Sequence, residues 1–303
     1  MYYSANQYYK KVFGEKVYKI SVNGHMTCPN RDGTKGYGGC IFCSAKGSGD
    51  FCVENICDID EQIAGAITLV NKKIKTNKYI AYFQSFTNTY APVEYLEKIF
   101  TQAINNPQIV ALSIGTRPDC LPPDVIDLLD KLNHIKPVFV ELGLQTIHEK
   151  TAEYIRRGYQ LSVYDTAVRN LKAIGINVVA HMIIGLPNET KDMILQTVDY
   201  IGNSGADGIK LQLLHVLKDT DLAVDYAKGL FNVLSMEEYI DILCDCVQHL
   251  PPHMVLHRIT GDGAKNILIA PQWSGNKKLV LNAINKAMLH RNVVQGKAYI
   301  NHQ

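Results

Sequence analysis

Six short, strongly apolar runs alternate with helical stretches along the chain, and no other feature limits the possible folds as tightly. They are VYKISVNG (17–24), YIAYFQSF (79–86), IVALSIGT (109–116), PVFVELGLQ (137–145), INVVAHMIIG (176–185) and GIKLQLLHV (208–216). Short runs rich in β-branched residues, bounded by Gly or Pro, read as parallel strands buried on both faces. The stretches between them carry helix-start and helix-stop signals. Asp58 precedes IDEQIAGAITLVNKKI, Pro92 stands early in APVEYLEKIFTQAI, and PPDVIDLLDKL opens on two prolines. Ser162 opens and Gly175 closes SVYDTAVRNLKAIG, and NETKDMILQTVDYIGNSG follows the fifth run. Strand–helix repetition means βαβ units with right-handed crossovers. Six of them suit a barrel or partial barrel better than a flat sheet.

Composition adds exclusions. The 303 residues are 47% hydrophobic and 20% charged with net charge +2, which rules out a disordered, collagenous or polybasic chain. The N-terminus lacks a signal-peptide profile, and no apolar run approaches the roughly 20 residues of a membrane helix, so a cytoplasmic, reducing address and no membrane partner are expected. In that setting eight cysteines read as metal-binding or catalytic before they read as disulfides. Five of them, Cys28, Cys40, Cys43, Cys52 and Cys57, lie close together in sequence.

Each run ends in polar or Gly-containing residues: Asn23-Gly24, Gln84-Ser85, Thr116-Arg117-Pro118-Asp119, Glu141 with Gln145, His181 with Gly185-Leu186-Pro187, and Gln212 with His215. In a parallel barrel all the carboxyl ends of the strands share one face, where loops build the active site. The loop after the first run, GHMTCPNRDGTKGYGGCIFC, spaces Cys28, Cys40 and Cys43 as C-x11-C-x2-C among glycines that let the backbone wrap a metal centre. An iron–sulfur cluster normally takes four thiolates, so three leave one iron open. Structural zinc, with Cys52 or Cys57 as fourth ligand, is the alternative, though Cys52 and Cys57 miss the usual pair spacing.

CPNRDGTKGYGGCIFC, SIGTRPD, VELGLQTIHEKTAEYIRRGY and HMIIGLPNET resemble the radical S-adenosylmethionine (radical SAM) enzymes. The resemblance is nearer still to the Elp3-like group and its small bacterial YtqA/YhcC-type branch, and it covers roughly residues 5–275. It implies an α/β fold, a partial TIM barrel of six βα units, here with a C-terminal α/β extension. It implies that Cys28, Cys40 and Cys43 hold a [4Fe-4S] cluster whose open iron chelates S-adenosyl-L-methionine, and that Phe42 covers the adenine edge or packs the loop. It implies one-electron reduction by a donor such as flavodoxin or ferredoxin, giving a 5'-deoxyadenosyl radical.

At the second strand the relatives carry a glycine-rich segment, replaced here by QSFTNT, so Gln84, Ser85 or Asn88 would take over its contact with the cofactor. Gly115 stands where relatives have an acid, which turns attention to Arg117 and Asp119. The resemblance places Gln145 on the cofactor and Arg157 on its carboxylate, with Glu141 facing the interior to accept from an Arg or the cofactor and Gly185 approaching adenine. His181 reads equally as core or substrate contact. His215 and the cluster His257, Arg258, Thr260 and Asp262 are substrate-side candidates. Cys52 reads as an incidental packed thiol, and Cys120, Cys244 and Cys246 as inert.

The implied substrate is tRNA, through wobble-uridine conversion of carboxymethylaminomethyl to aminomethyl. Lys10-Lys11, Lys72-Lys73 to Lys78 and Lys277-Lys278, with the N-terminal tyrosines, are the candidate phosphate and base contacts. A small molecule or peptide is the second reading, and a zinc-stapled binding protein the third. The division expected is an arm over 1–16, a core over 17–230 and a C-terminal extension over 231–303.

Overall fold

A computed structural model describes residues 1–45, 47, 58–72, 74, 76–261, 263 and 265–301. Cys52, Cys57, Lys73 and Asp262 lie outside the described residues. The chain opens with helix α1 (Ala5–Phe13), then β1 (Tyr18–Val22) and α2 (Ile59–Asn71). Next come β2 (Tyr79–Phe83), α3 (Val93–Asn105), β3 (Ile109–Thr116), α4 (Pro123–Ile135) and β4 (Val138–Gln145). Helices α5 (Glu149–Tyr154) and α6 (Leu161–Ala173), β5 (Asn177–Ile184), α7 (Lys191–Asn203) and β6 (Gly208–Leu213) complete the sixth unit. Beyond it lie β7 (Val216–Leu217), α8 (Asp221–Ala227), α9 (Met236–His249), β8 (Val255–Arg258), β9 (Leu268–Ala270) and α10 (Lys277–His290).

The main sheet is parallel throughout, in the order β1-β2-β3-β4-β5-β6-β8. It curls without closing, as a partial barrel with helices outside. The segment after residue 230 therefore does more than pack on the core, because β8 is its seventh strand. Side chains alternate between the two faces. Ile20, Ala81, Ile114, Leu142, Ala180 and Leu211 face the helices in the large core. Of the inward set, Ile80, Ala111, Phe139 and Val179 close the lower end of the barrel with Tyr9 of α1.

That helix is a floor rather than a free arm. Ser4 and Gln7 form a capping box that starts it, and Gly14 in the left-handed region ends it. Tyr9 is buried and meets Phe139 and His257 edge to face. Tyr8 also packs on Phe139. The N-terminal tyrosines thus seal the end away from the strand carboxyl termini, and the expectation that they stack bases is corrected. Lys10 and Lys11 are exposed on that same far end.

Local signals were honoured with one exception. Asp58 caps α2 and Thr190 caps α7 by accepting from backbone N–H groups. Ser162 does not open α6, which starts a residue earlier from Gln160.

Candidate active site

The carboxyl ends of the strands and the loop after β1 enclose a cavity of about 410 Å³. Cys28, Cys40 and Cys43 line its upper wall with Phe42, and Arg31 stacks over Phe86 beside them. Asn30 holds the loop by donating from Nδ2 to the Arg156 carbonyl at 2.7 Å. Arg31 donates to the Ser44 carbonyl at 2.6 Å. A hydrogen bond from Cys43, helped by Arg117, Asn30 and Arg31 and opposed by desolvation, brings the Cys40 thiol down to about 7. Cys43 keeps its proton for that bond and is pushed up. Three thiols beside guanidiniums are a donor set suited to anionic sulfur ligands. Three thiols of one loop on one cavity wall, two of them hydrogen-bonded to each other, are the sulfur donor set of a three-thiolate iron–sulfur site, so the residues fit such a cluster.

Below the thiols the inward side chains are polar. Glu141 is fully buried: its Oε1 accepts from Lys19 Nζ and from Ser113 Oγ at 2.6 Å, and its Oε2 from Lys210 Nζ and from His181 Nε2 at 2.6 Å. Burial opposes its charge, but Lys19, Lys210 and His181 overcome this and hold the carboxyl well below the usual range. Burial brings His181 down to about 4, with Lys210 acting the same way against the pull of Glu141. The ring is then neutral near pH 7, giving its Nε2 proton to Glu141 and accepting at Nδ1 from Gln212 at 3.3 Å. Burial also brings Lys210 down to about 7; Glu141 resists this, while Lys19 and Arg258 reinforce it.

The structure sorts the residues read from the sequence. Gln145 lines the cavity in the left-handed region at φ 71°, where β4 slips register against β5, and its buried Oε1 has no partner among the described residues. That is an acceptor held ready for a ligand donor. Gln84 also lines the cavity, but Ser85 and Asn88 do not. Asn88 instead braces β3, its Nδ2 donating to the Gly115 carbonyl at 2.8 Å.

Three expectations are corrected. Glu141 is no cofactor ligand, since both oxygens are taken by its own cations. Arg157 meets a carboxylate, but it is that of Glu149, both of whose oxygens accept from Nη2 alone at 2.9 and 3.2 Å, while Nη1 and Nε donate to the Thr146 and Tyr159 carbonyls. Gly185 stays off the cavity wall: its φ of 90° and a Cβ that would meet Leu234 at 3.0 Å make glycine a packing requirement.

Arg117 pairs with Asp119 through two bonds of 2.9 Å. His181, His215 and Arg258 line the cavity, whereas His257 bonds Tyr9 at the floor. Cys120, Cys244 and Cys246 are buried.

Tyr159 escaped the sequence reading. Its ring packs against the Arg117 and Arg157 guanidiniums, 5.3 and 4.7 Å from the centroid, and its hydroxyl donates to the Gly143 carbonyl. Lys19 and Lys210 were missed as well, although a charge inside an apolar run was the signal for each.

A sequence model described as the Radical SAM superfamily matches residues 28–201, and one for the Radical_SAM C-terminal domain matches 206–290. The chain belongs to the radical SAM superfamily. Protein YtqA of Bacillus subtilis, described as uncharacterized, is 45% identical over 98% of this chain and 92% of its own. Protein YhcC of Escherichia coli K12 is 37% identical over 94% and 91%. Human Elongator complex protein 3 is 27% identical over 58% of this chain and 31% of its own. Among solved structures, the archaeal Elp3 of Methanocaldococcus infernus matches with TM-score 0.70 at 19% identity, covering 92% of this chain and 64% of that one. That likeness confirms the partial barrel.

A radical SAM enzyme works with a [4Fe-4S] cluster and S-adenosylmethionine, which together supply a hydrogen-abstracting radical. Here Cys28, Cys40 and Cys43 would hold the cluster, and Gln145 and Gln84 offer polar contacts beneath it. The chain's own work is to orient and enclose. Arg157 fixes the turn after β4, Tyr159 and Arg117 wall the cavity, and the floor of α1 keeps water from entering below. Among the described residues no helix is long and apolar enough to cross a membrane.

Proposed function

We propose that this radical SAM enzyme modifies the wobble uridine of tRNA, converting a carboxymethylaminomethyl side chain to aminomethyl; the two carbons would leave as an aldehyde acid with water as the oxygen source, S-adenosylmethionine would be the two-electron oxidant, and a flavodoxin- or ferredoxin-type donor would supply the priming electron. The observation that carries this reading is the charge of the cavity wall. Among the described residues Arg31, Arg117, Arg157, Lys210 and Arg258 line it against the carboxylate of Glu141. Arg117 and Arg157 are balanced by Asp119 and Glu149, yet Arg31, Lys210 and Arg258 still outnumber Glu141. A concave cationic wall concentrates anions at its mouth, and RNA is a dense one. The Elp3-like kinship favours tRNA over other RNA.

The test compares tRNA nucleosides from cells with and without the gene. Anaerobic incubation of the deletion-strain tRNA with cluster-loaded enzyme, S-adenosylmethionine and reduced flavodoxin follows. The proposal expects carboxymethylaminomethyluridine to accumulate on deletion and to fall on incubation, with release of 5'-deoxyadenosine. Unchanged wobble uridines in both arms would refute it and favour a small molecule or peptide.

A further inference from the structure

Among the described residues the lower end of the cavity carries more positive than negative charge, in a place where net charge is hard to keep. Lys19, Lys210 and Arg258 gather there around the carboxylate of Glu141, and His181 adds no charge near neutral pH. Glu141 accepts from both lysines. Arg258 makes no hydrogen bond or ion pair with any described residue, yet it lines the cavity beside Lys210, its register partner across the β6–β8 pairing.

The strand is shaped to put it there. A register shift between Ile209 and Lys210 inserts His257 as an extra residue in β8. Bulges of this kind re-aim side chains. His257 turns to Tyr9 on the floor, while its neighbour Arg258 reaches the cavity instead of the outer face.

We infer that Arg258 and Lys210 form a carboxylate-binding site that grips the acidic end of the substrate at the bottom of the barrel. A planar guanidinium beside an ammonium matches a carboxylate, and a monoanion matches the excess charge. Depth excludes the nucleic-acid backbone, whose phosphates stay at the mouth, but admits a substituent extending from a base. S-adenosylmethionine's own carboxylate belongs with the cluster at the top, so the group bound below is the substrate's. Burial, Lys19 and Arg258 all hold down the proton affinity of Lys210, and an arriving anion would restore its charge. The site rests on the tRNA reading only for which molecule bears the carboxylate.

Binding to the cluster-loaded, S-adenosylmethionine-bound enzyme tests it with two pairs of probes. One pair is tRNA carrying carboxymethylaminomethyluridine and the same tRNA carrying methylaminomethyluridine. The other is N-methylglycine and N-methylglycinamide, which differ in charge and not in length. Wild type, Arg258→Gln and Arg258→Lys are compared, with iron content per chain as the check on folding. The site predicts that each carboxylate probe binds about ten- to a hundredfold tighter than its partner without the carboxylate. Arg258→Gln should erase that preference and Arg258→Lys should keep most of it.

If the acidic tRNA is ignored while N-methylglycine is still preferred over its amide and loses that preference in Arg258→Gln, the carboxylate site stands and the tRNA reading falls. If tRNA is bound and modified but Arg258→Gln keeps the wild-type preference, the site is overturned and the tRNA reading stands. No preference in either pair overturns the site outright.

Discussion

Replacing Glu141 by Gln keeps the shape of the side chain and removes its charge, leaving Lys19 and Lys210 without their anion. Lys19 shows the consequence most clearly. Burial works against its ammonium, but Glu141 and Tyr9 outweigh this and raise its pKa in the wild type. A raised folded-state pKa means that the stabilisation is fully present below the unfolded value and lost only above the folded one. In Glu141→Gln the ammonium has lost its anion and its side chain is only 20% exposed, so burial favours the neutral amine. Neutralising a lysine of ordinary pKa about 10.4 costs about 1.36 kcal/mol for each of roughly 3.4 pH units at pH 7, so about 4.6 kcal/mol bounds the loss there. At pH 9 the same bound falls to about 1.9 kcal/mol. Breaking a buried ion pair costs about 3–5 kcal/mol, within the same range. Urea denaturation of wild type and variant at both pH values should show a gap of about 3–4 kcal/mol at pH 7 that narrows by about 2 kcal/mol or more at pH 9. A gap below about 1 kcal/mol at pH 7, or one unchanged at pH 9, would refute an ionic role for Glu141.

Cys40→Ala should abolish the brown colour and the release of 5'-deoxyadenosine after anaerobic reconstitution, whereas Cys120→Ala, at a buried thiol pushed up to about 12, should keep both by visible absorbance and chromatography. Arg157→Lys cannot reproduce three buried nitrogens that reach four acceptor atoms in different directions, and chemical denaturation should register about 2–4 kcal/mol. Glu149→Gln, at a half-exposed partner, should cost less than Arg157→Lys in the same experiment. Tyr9→Ala opens the barrel floor and should lose about 3–5 kcal/mol, against about 1 kcal/mol for Tyr9→Phe, read from the same curves.

The barrel was legible because its strands are apolar runs of the right length, separated by capped helices such as those begun by Asp58 and Thr190. The three thiols were legible from spacing and resemblance. What stayed hidden was the second period inside the runs. In YIAYFQ, VELGLQ and IKLQLL every other residue near the carboxyl end is polar, and those positions face inward as Tyr82, Glu141, Lys210 and Gln212. Attention to the last residues of each run passed over Lys19 and Lys210, which stand mid-strand. Arg157 shows the opposite error. No pattern in the sequence shows that Glu149, eight residues earlier, takes up one of the arginine's guanidinium nitrogens. Arg258 depended on a bulge, a detail of pairing between strands that one strand's sequence does not reveal.

Helix α1 closes the lower end of the barrel, and on the proposed tRNA reading this bears on the order of events at the strand carboxyl ends. There a polymer seated on the rim would hold what lies beneath it captive, so methionine and 5'-deoxyadenosine would leave only after the tRNA, and turnover would follow how quickly the enzyme lets go of its largest ligand.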